Sequence, residues 1–214
     1  MGLPPEGLCD LSISFFLIIL SPMKLIFATN NENKVAEIRA VTGDRFELLT
    51  LKEAGIEKDI PEPFDSLEKN ATEKSSVIYK MTQTNCFSED TGLEVEALNG
   101  EPGVKSARYA GDDRSFEKNI DKLLNKLAGS ANRKARFRTV ISLLIDGHEN
   151  LFEGIAEGRI TEVRRGTKGF GYDPVFVPDG AEKTFAEMDM AEKNRYSHRK
   201  KATEKLIAYL KTVH

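Results

Sequence analysis

From Met23 onward, short apolar runs rich in β-branched and aromatic residues alternate with segments of helical periodicity. That alternation confines the chain to the α/β class. The first run, Leu25 to Thr29, leads through Asn30-Asn31-Glu32-Asn33 into a helix expected from about Lys34 to Val41. A second strand, Glu47 to Leu51, precedes the Pro-punctuated loop Ile60-Pro61-Glu62-Pro63. Asp65, with Glu68 three residues on, reads as the cap of a helix whose Leu67, Ala71, Ser75, Ile78 and Met81 share one face. A strand then ends in Ser88-Glu89-Asp90, followed by a turn at Thr91-Gly92 and an alternating strand from Leu93 to Leu98.

Ser115 is placed to cap a helix carrying Ile120, Leu123, Leu124 and Leu127, which Gly129 would stop. Two long apolar runs, Phe137 to Ile145 and Leu151 to Val163, flank Asp146-Gly147, a hairpin signal. A glycine-rich loop, Gly166 to Gly171, enters a short strand, Pro174 to Val177. The last helix starts after Ser197 and is expected to bury Ala202, Leu206, Tyr209, Leu210 and Val213.

Length and charge narrow the function. With 214 residues and no internal repeat or linker, the chain reads as one domain. Its 31 Lys+Arg against 34 Asp+Glu leave a net charge of −3, which argues against a protein that grips nucleic acid through a basic surface. Two cysteines, Cys9 and Cys86, make neither a disulfide scaffold nor a metal spacing, so a reduced, cytoplasmic compartment is expected. The apolar run Leu11 to Leu20 is shorter than the ~20 residues a membrane span needs, and no basic residue precedes it. It reads as an added strand or helix, as a degenerate targeting segment, or as the product of a start upstream of Met23. We expect the last, with residues 1–22 an extension and 23–214 the domain.

Four segments carry chemistry. Thr29-Asn30-Asn31-Glu32-Asn33-Lys34 sits between a strand end and a helix start, where backbone N–H groups and the helix dipole suit a phosphate and Lys34 adds a point charge. The glycines of a Walker A loop are missing, and an ordinary Asn-rich turn would look the same. Ser88-Glu89-Asp90-Thr91-Gly92 sets two carboxylates at the end of an apolar strand, a costly arrangement unless a proton or a cation compensates. Oxygen-only ligands beside phosphate suit Mg²⁺ better than zinc, and Glu62 and Glu68 are placed to close such a site. A solvated acidic turn is the alternative.

In Thr167-Lys168-Gly169-Phe170-Gly171-Tyr172-Asp173, the glycines allow close approach to a ligand, Phe170 and Tyr172 offer flat faces for a base, and Asp173 can accept from ring N–H groups. A glycine-eased strand entry with core aromatics would read alike. Finally, Lys193, Arg195, Arg199, Lys200 and Lys201 gather around a helix N-terminus, where cations oppose the dipole and an anionic ligand would account for them. Lys200 and Lys201 are assigned to a solvated face, and His198 is a switchable donor beside the anion.

Five motifs, Thr29–Lys34, Ser88–Gly92, Pro102-Gly-Val-Lys-Ser-Ala-Arg-Tyr109, Gly169-Phe-Gly-Tyr-Asp-Pro174 and Ser197-His-Arg199, stand in the order and spacing of one family. From Met23 to about Leu210 the chain resembles the inosine triphosphate pyrophosphatase family, the Ham1-like bacterial enzymes acting on non-standard purine nucleoside triphosphates. The resemblance implies an elongated α/β domain around a long, twisted mixed sheet flanked by helices, normally a homodimer. It implies Mg²⁺-dependent hydrolysis of ITP, dITP or XTP to a monophosphate and pyrophosphate, clearing deaminated purines from the nucleotide pool.

Position by position, the resemblance makes Thr29, Asn30, Asn31, Glu32, Asn33 and Lys34 holders of the triphosphate. It makes Asp90 the proton acceptor, Thr91 a substrate contact, and Glu62 with Asp90 the metal ligands. Phe170, Gly171, Tyr172, Asp173, Lys193, His198 and Arg199 would enclose base and phosphates. Glu89 replaces the family's usual Asp, so its share in the metal, like that of Glu68, stays open. A hydrolase for modified pyrimidine triphosphates would use the same phosphate machinery. A nucleotide sensor without turnover would have no need of the base Asp90.

Overall fold

The computed structural model describes residues 23–58 and 60–213; the expectation for residues 1–22 lies outside the described residues. Strand β1 (Lys24–Phe27) is followed by helix α1 (Glu32–Thr42) and strand β2 (Glu47–Thr50), which pairs parallel to β1. Helix α2 (Leu67–Thr82) then returns the chain to strand β3 (Cys86–Val95), parallel to the other side of β1. Parallel neighbours require such helical crossovers, which is why the first third alternates as it does.

The remainder is antiparallel. Strand β4 (Pro102–Gly103) pairs with β3, helix α3 (Phe116–Lys126) follows, and β5 (Lys134–Ile145) and β6 (His148–Ile160) form a long hairpin. Strand β7 (Phe176–Pro178), the single turn α4 (Met190–Lys193) and helix α5 (His198–Val213) complete the chain. The seven strands make one mixed sheet in the order β2-β1-β3-β5-β6-β7, with β4 beside β3. Asp146 and Gly147 have φ values of 49° and 80°, the pair of positive φ values that a two-residue hairpin turn needs.

Helix α2 covers one face of the sheet, burying Ile78 against Ile26, Cys86 and Leu144. Helices α1 and α5 cover the other, where Val35, Ile38, Ala202, Leu206 and Leu210 meet Leu25, Phe27, Phe87, Ile141 and Leu143. A second core, built on Leu93, Ile120, Leu123, Phe137, Phe176 and Phe185, lies at the far ends of β3, β5 and β6. The two cores form two lobes on shared strands.

Local readings shift in four places, one of them Met81, expected on the inner face of α2 with Leu67 and Ile78 but 51% exposed in its last turn. Ser66, not Asp65, caps α2, its hydroxyl accepting from Lys69 N at 3.3 Å. Val213 in the last turn of α5 is 45% exposed. Thr91-Gly92 is no turn: both pair with β5, and β3 runs straight through. Glycine is needed there because a Cβ on Gly92 would lie 2.7 Å from the Gly103 carbonyl of β4.

One close approach matters for the site. A Cβ on Gly154 of β6 would sit 2.0 Å from the His198 carbonyl and 2.5 Å from Ala202 N. Its absence lets the first turn of α5, which carries His198 and Arg199, lie on the sheet. Gly154→Ala is expected to push that turn away and to destabilise the protein by about 1–3 kcal/mol through overpacking. Thermal unfolding and turnover, measured on the same sample, check both effects.

Candidate active site

The register positions the site. β1 pairs with β3 only at Ile26↔Cys86 and Phe27↔Phe87, and the two phenyl rings stack with centroids 4.5 Å apart. β4 joins β3 only at Leu93 and Glu94. Between these pairings, residues Ser88 to Gly92 keep β5 on one side and face a gap on the other. The gap is the floor of a cavity of about 400 Å³, lined by Thr29, Asn30, Asn31, Lys34, Glu62, Lys74, Asp90 and Thr91 together with Phe170, Gly171, Tyr172, Asp173, Lys193, His198 and Arg199. Ligand sites in open α/β sheets form in this way, just beyond the carboxyl ends of parallel strands.

Strand alternation sends the neighbours Glu89 and Asp90 to opposite faces. Asp90 and Ser88 turn to α2, where the Ser88 hydroxyl donates to the Ala71 carbonyl and Asn70 Nδ2 donates to Asp90 Oδ2 at 3.3 Å. Lys74 Nζ lies 2.6 Å from Glu62 Oε1, 3.6 Å from Asp90 Oδ1, and donates to the Glu89 carbonyl on the unpaired edge of β3. Asn70 also holds both the N–H and the carbonyl of Phe64, fixing the loop that carries Glu62. Burial raises the Asp90 carboxyl above the usual range, against the pull of Lys74 and Lys34.

Glu89 and Thr91 turn to the other face. Glu89 is fully enclosed, with Lys34 Nζ 3.0 Å from one oxygen and Arg199 Nε donating to the other at 2.7 Å. Arg199 Nη2 reaches Thr91 Oγ1 at 3.3 Å, and Nη1 pairs with Glu37. Glu37, on α1, also accepts from Lys193 Nζ at 2.7 Å, which pairs in turn with Asp173 at 2.6 Å. Burial alone would raise the Glu37 and Glu89 carboxyls. Arg199 reverses this, together with Lys193 at Glu37 and Lys34 at Glu89, and holds each at about 2.

Against the sequence reading, the cations of Lys193 and Arg199 answer buried carboxylates first. Asp173 is 3% exposed and accepts from Phe170 N and Lys193, so it fixes the aromatic loop. Tyr172 is buried, its hydroxyl donating to the Ser106 carbonyl. Gly169 has φ +75°, and a Cβ there would strike the Asp173 carboxylate at 2.0 Å. His198, stacked on Phe137 with centroids 4.6 Å apart, is held neutral by burial and by Arg199, so it is a fixed polar group rather than a switch. Its Nδ1 has no hydrogen-bond partner among the described residues.

In the first segment, Asn31 caps α1, its Oδ1 accepting from Asn33 N and Lys34 N. Glu32 and Asn33 are exposed and do not line the cavity. Glu68 pairs with Arg138 instead of joining Glu62. Glu37, Asn70 and Lys74 escaped the sequence reading. Their signal was present: Asn70 and Lys74 stand three and seven residues after Leu67, on the buried face of α2.

A divalent cation fits this site by its chemistry. The donors that Glu62 and Asp90 offer are oxygen only, and the Asp90 carboxyl is incompletely compensated by its neighbours. No group of three or more potential ligands clusters among the described residues, so further oxygens would come from a bound phosphate, as magnesium commonly requires. Because the buried cations already balance carboxylates, a polyphosphate needs added positive charge. Lys58 and Arg114 line the cavity without an ion-pair partner among the described residues.

Fold and site together define an α/β protein with a large, charge-lined cleft along the unpaired edge of its central strand. The chain belongs to the Ham1 family, whose profile matches residues 25–209. It is 48% identical over 188 residues to the dITP/XTP pyrophosphatase of Flavobacterium johnsoniae, covering 88% of this chain and 98% of that one. The dITP/XTP pyrophosphatase of Christiangramia forsetii is 50% identical over 188 residues, covering 88% and 99%. Among solved structures, the Ham1 protein of Staphylococcus aureus superposes with a TM-score of 0.81 at 38% identity, covering 89% of this chain and all of that one. No helix among the described residues is long and apolar enough to cross a membrane.

Proposed function

We propose that this protein hydrolyses non-standard purine nucleoside triphosphates (dITP, XTP and ITP) to the monophosphate and pyrophosphate. The observation that carries the reading is the convergence of two chemistries in one cavity. Glu62, Lys74, Asp90 and Lys34 bring charge suited to a polyphosphate and a metal, while Phe170, Tyr172 and His198 bring ring faces and polar atoms suited to a flat base, and all line the same cavity. The two bacterial relatives, each a dITP/XTP pyrophosphatase, support it.

Asp90 takes a proton from the attacking water, whose oxygen bonds to phosphorus as the P–O bond to pyrophosphate breaks. Its raised carboxyl suits this task, and Asn70 keeps it aimed. Mg²⁺ is the cofactor we assign to Glu62 and Asp90, where it would neutralise charge on the phosphate oxygens. Lys34 and Thr29 stand where the phosphates enter, and Thr91 and Arg199 link them to the base end. The neutral His198 and the Arg199 guanidinium offer donors to a 6-keto group. The 6-amino group of adenine sets donor against donor, at about 1–3 kcal/mol for each group left unpaired. A homodimer in the cytoplasm is part of the same reading, resting on the family resemblance and on the cysteine content.

The test is pyrophosphate release with Mg²⁺ from dITP, XTP, ITP, dUTP, GTP and ATP. The expected result is at least about tenfold higher kcat/KM for the 6-keto deaminated purines than for ATP, complete loss of turnover in EDTA, and recovery on adding Mg²⁺. Preference for dUTP would assign a pyrimidine hydrolase, and binding without product would assign a sensor.

A further inference from the structure

We propose that Phe116 is the second wall of an aromatic slot whose first wall is Phe170, and that this slot favours fused-ring over single-ring bases. The inference rests on the nucleotide reading above and adds a specificity residue on α3, outside the five sequence motifs.

Phe116 is a large apolar side chain left 43% exposed, yet it lines the same cavity as Phe170, with ring centroids 6.2 Å apart and planes inclined at 49°. Its exposure does not come from a loose segment. Ser115 caps α3 through Lys118 N, and the buried Asn119 accepts from Ala110 N at 2.6 Å and donates to the Ala107 carbonyl at 3.0 Å. Arg164 donates to the Glu117 carbonyl and to Asp121 Oδ1, tying the first turns of α3 to the segment that leads into Phe170. Both rings, which line the cavity, are therefore carried on segments tied to one another through Arg164.

Phe170 is already engaged by charge, with Lys193 Nζ 5.3 Å and the Arg199 guanidinium 5.6 Å from its centroid. A base lying between the rings would need them roughly 7 Å apart, twice the ~3.4 Å stacking rise of nucleic-acid bases. The rings stand 6.2 Å apart with planes inclined at 49°, so admitting a base takes a separation of almost an ångström and a rotation that brings the planes parallel, both open to the exposed Phe116 side chain. A purine, with two fused rings, covers both phenyl faces more fully than a pyrimidine. Stacking of this kind requires aromatic faces rather than apolar bulk alone.

The chain contains no tryptophan, so Phe116→Trp creates a single emitter at the slot. Saturating inosine monophosphate is expected to quench and shift that emission, while inorganic pyrophosphate leaves it unchanged. In turnover assays, Phe116→Ala is expected to raise KM for ITP about tenfold with kcat within about twofold, Phe116→Leu to do nearly the same, and Phe116→Tyr to restore the parent value. The preference for inosine over uridine monophosphate as inhibitor should fall by a similar factor in Phe116→Ala. Unchanged Phe116→Trp emission at saturating inosine monophosphate, or an unchanged KM in Phe116→Ala, overturns the slot while ITP hydrolysis by the parent chain stands. Absence of ITP hydrolysis in the parent chain removes the nucleotide reading and the slot with it.

Discussion

Asp90→Asn is expected to lower kcat about 10²–10⁴-fold while fold and nucleotide binding survive. The substitution removes the proposed proton acceptor, together with one charge facing Lys74 and one of the two proposed metal carboxylates, while sparing the surrounding hydrogen bonds. Asn70 Nδ2 keeps an oxygen to donate to, and Lys74 keeps Glu62 and the Glu89 carbonyl. Because Asp90 is also one of the two carboxylates assigned to Mg²⁺, turnover is measured across a range of Mg²⁺ up to saturation. The deficit that persists at saturating metal belongs to proton transfer. Near-parent kcat there would show that another group takes the proton, and a large drop in Tm would show that the carboxylate is structural.

The second large effect falls on stability. Glu37 joins the Lys193 ammonium and the Arg199 guanidinium, and all three side chains are at most 6% exposed. Glu37→Ala leaves two buried cations short of a partner, at a cost of about 3–5 kcal/mol. For a domain of this size that lowers Tm by roughly 6–20 °C. The pH dependence gives a sharper signature. The Glu37 carboxyl titrates at about 2 in the folded protein and at 4.5 ordinarily, so its contribution is complete above about pH 4.5 and disappears as pH falls through 2. The gap in Tm between the parent and Glu37→Ala should therefore narrow steadily below pH 4.5. A gap that stays constant down to pH 2 would mean the loss comes from packing and not from charge.

These two side chains mark the border of what the sequence discloses. Asp90 was legible because a carboxylate at the end of an apolar run is conspicuous, and the Asn-rich turn before α1 was legible because strand, cap and helix follow in order. Glu37 was not, since a glutamate in α1 looks like any solvated helix residue until its partners, 156 and 162 positions away, are folded against it. Lys74 and Asn70 broke an apolar stripe, but periodicity says only that they face inward, not which group on β3 receives them. The misread Thr91-Gly92 has a similar cause. Glycine after threonine looks like punctuation, whereas here it clears space for β4, a contact that only the register reveals. His198 was read as a switch because its burial is tertiary: Phe137 arrives from β5 to stack on it, and burial, with the adjacent Arg199 cation, keeps it neutral.

Strands β3, β5 and β6, of 10, 12 and 13 residues, run unbroken from one lobe into the other. Such a frame lacks the loop hinge on which two-domain clamps swing shut. The cleft is therefore framed by one continuous sheet, and the two lobes that line it are anchored to the same three strands.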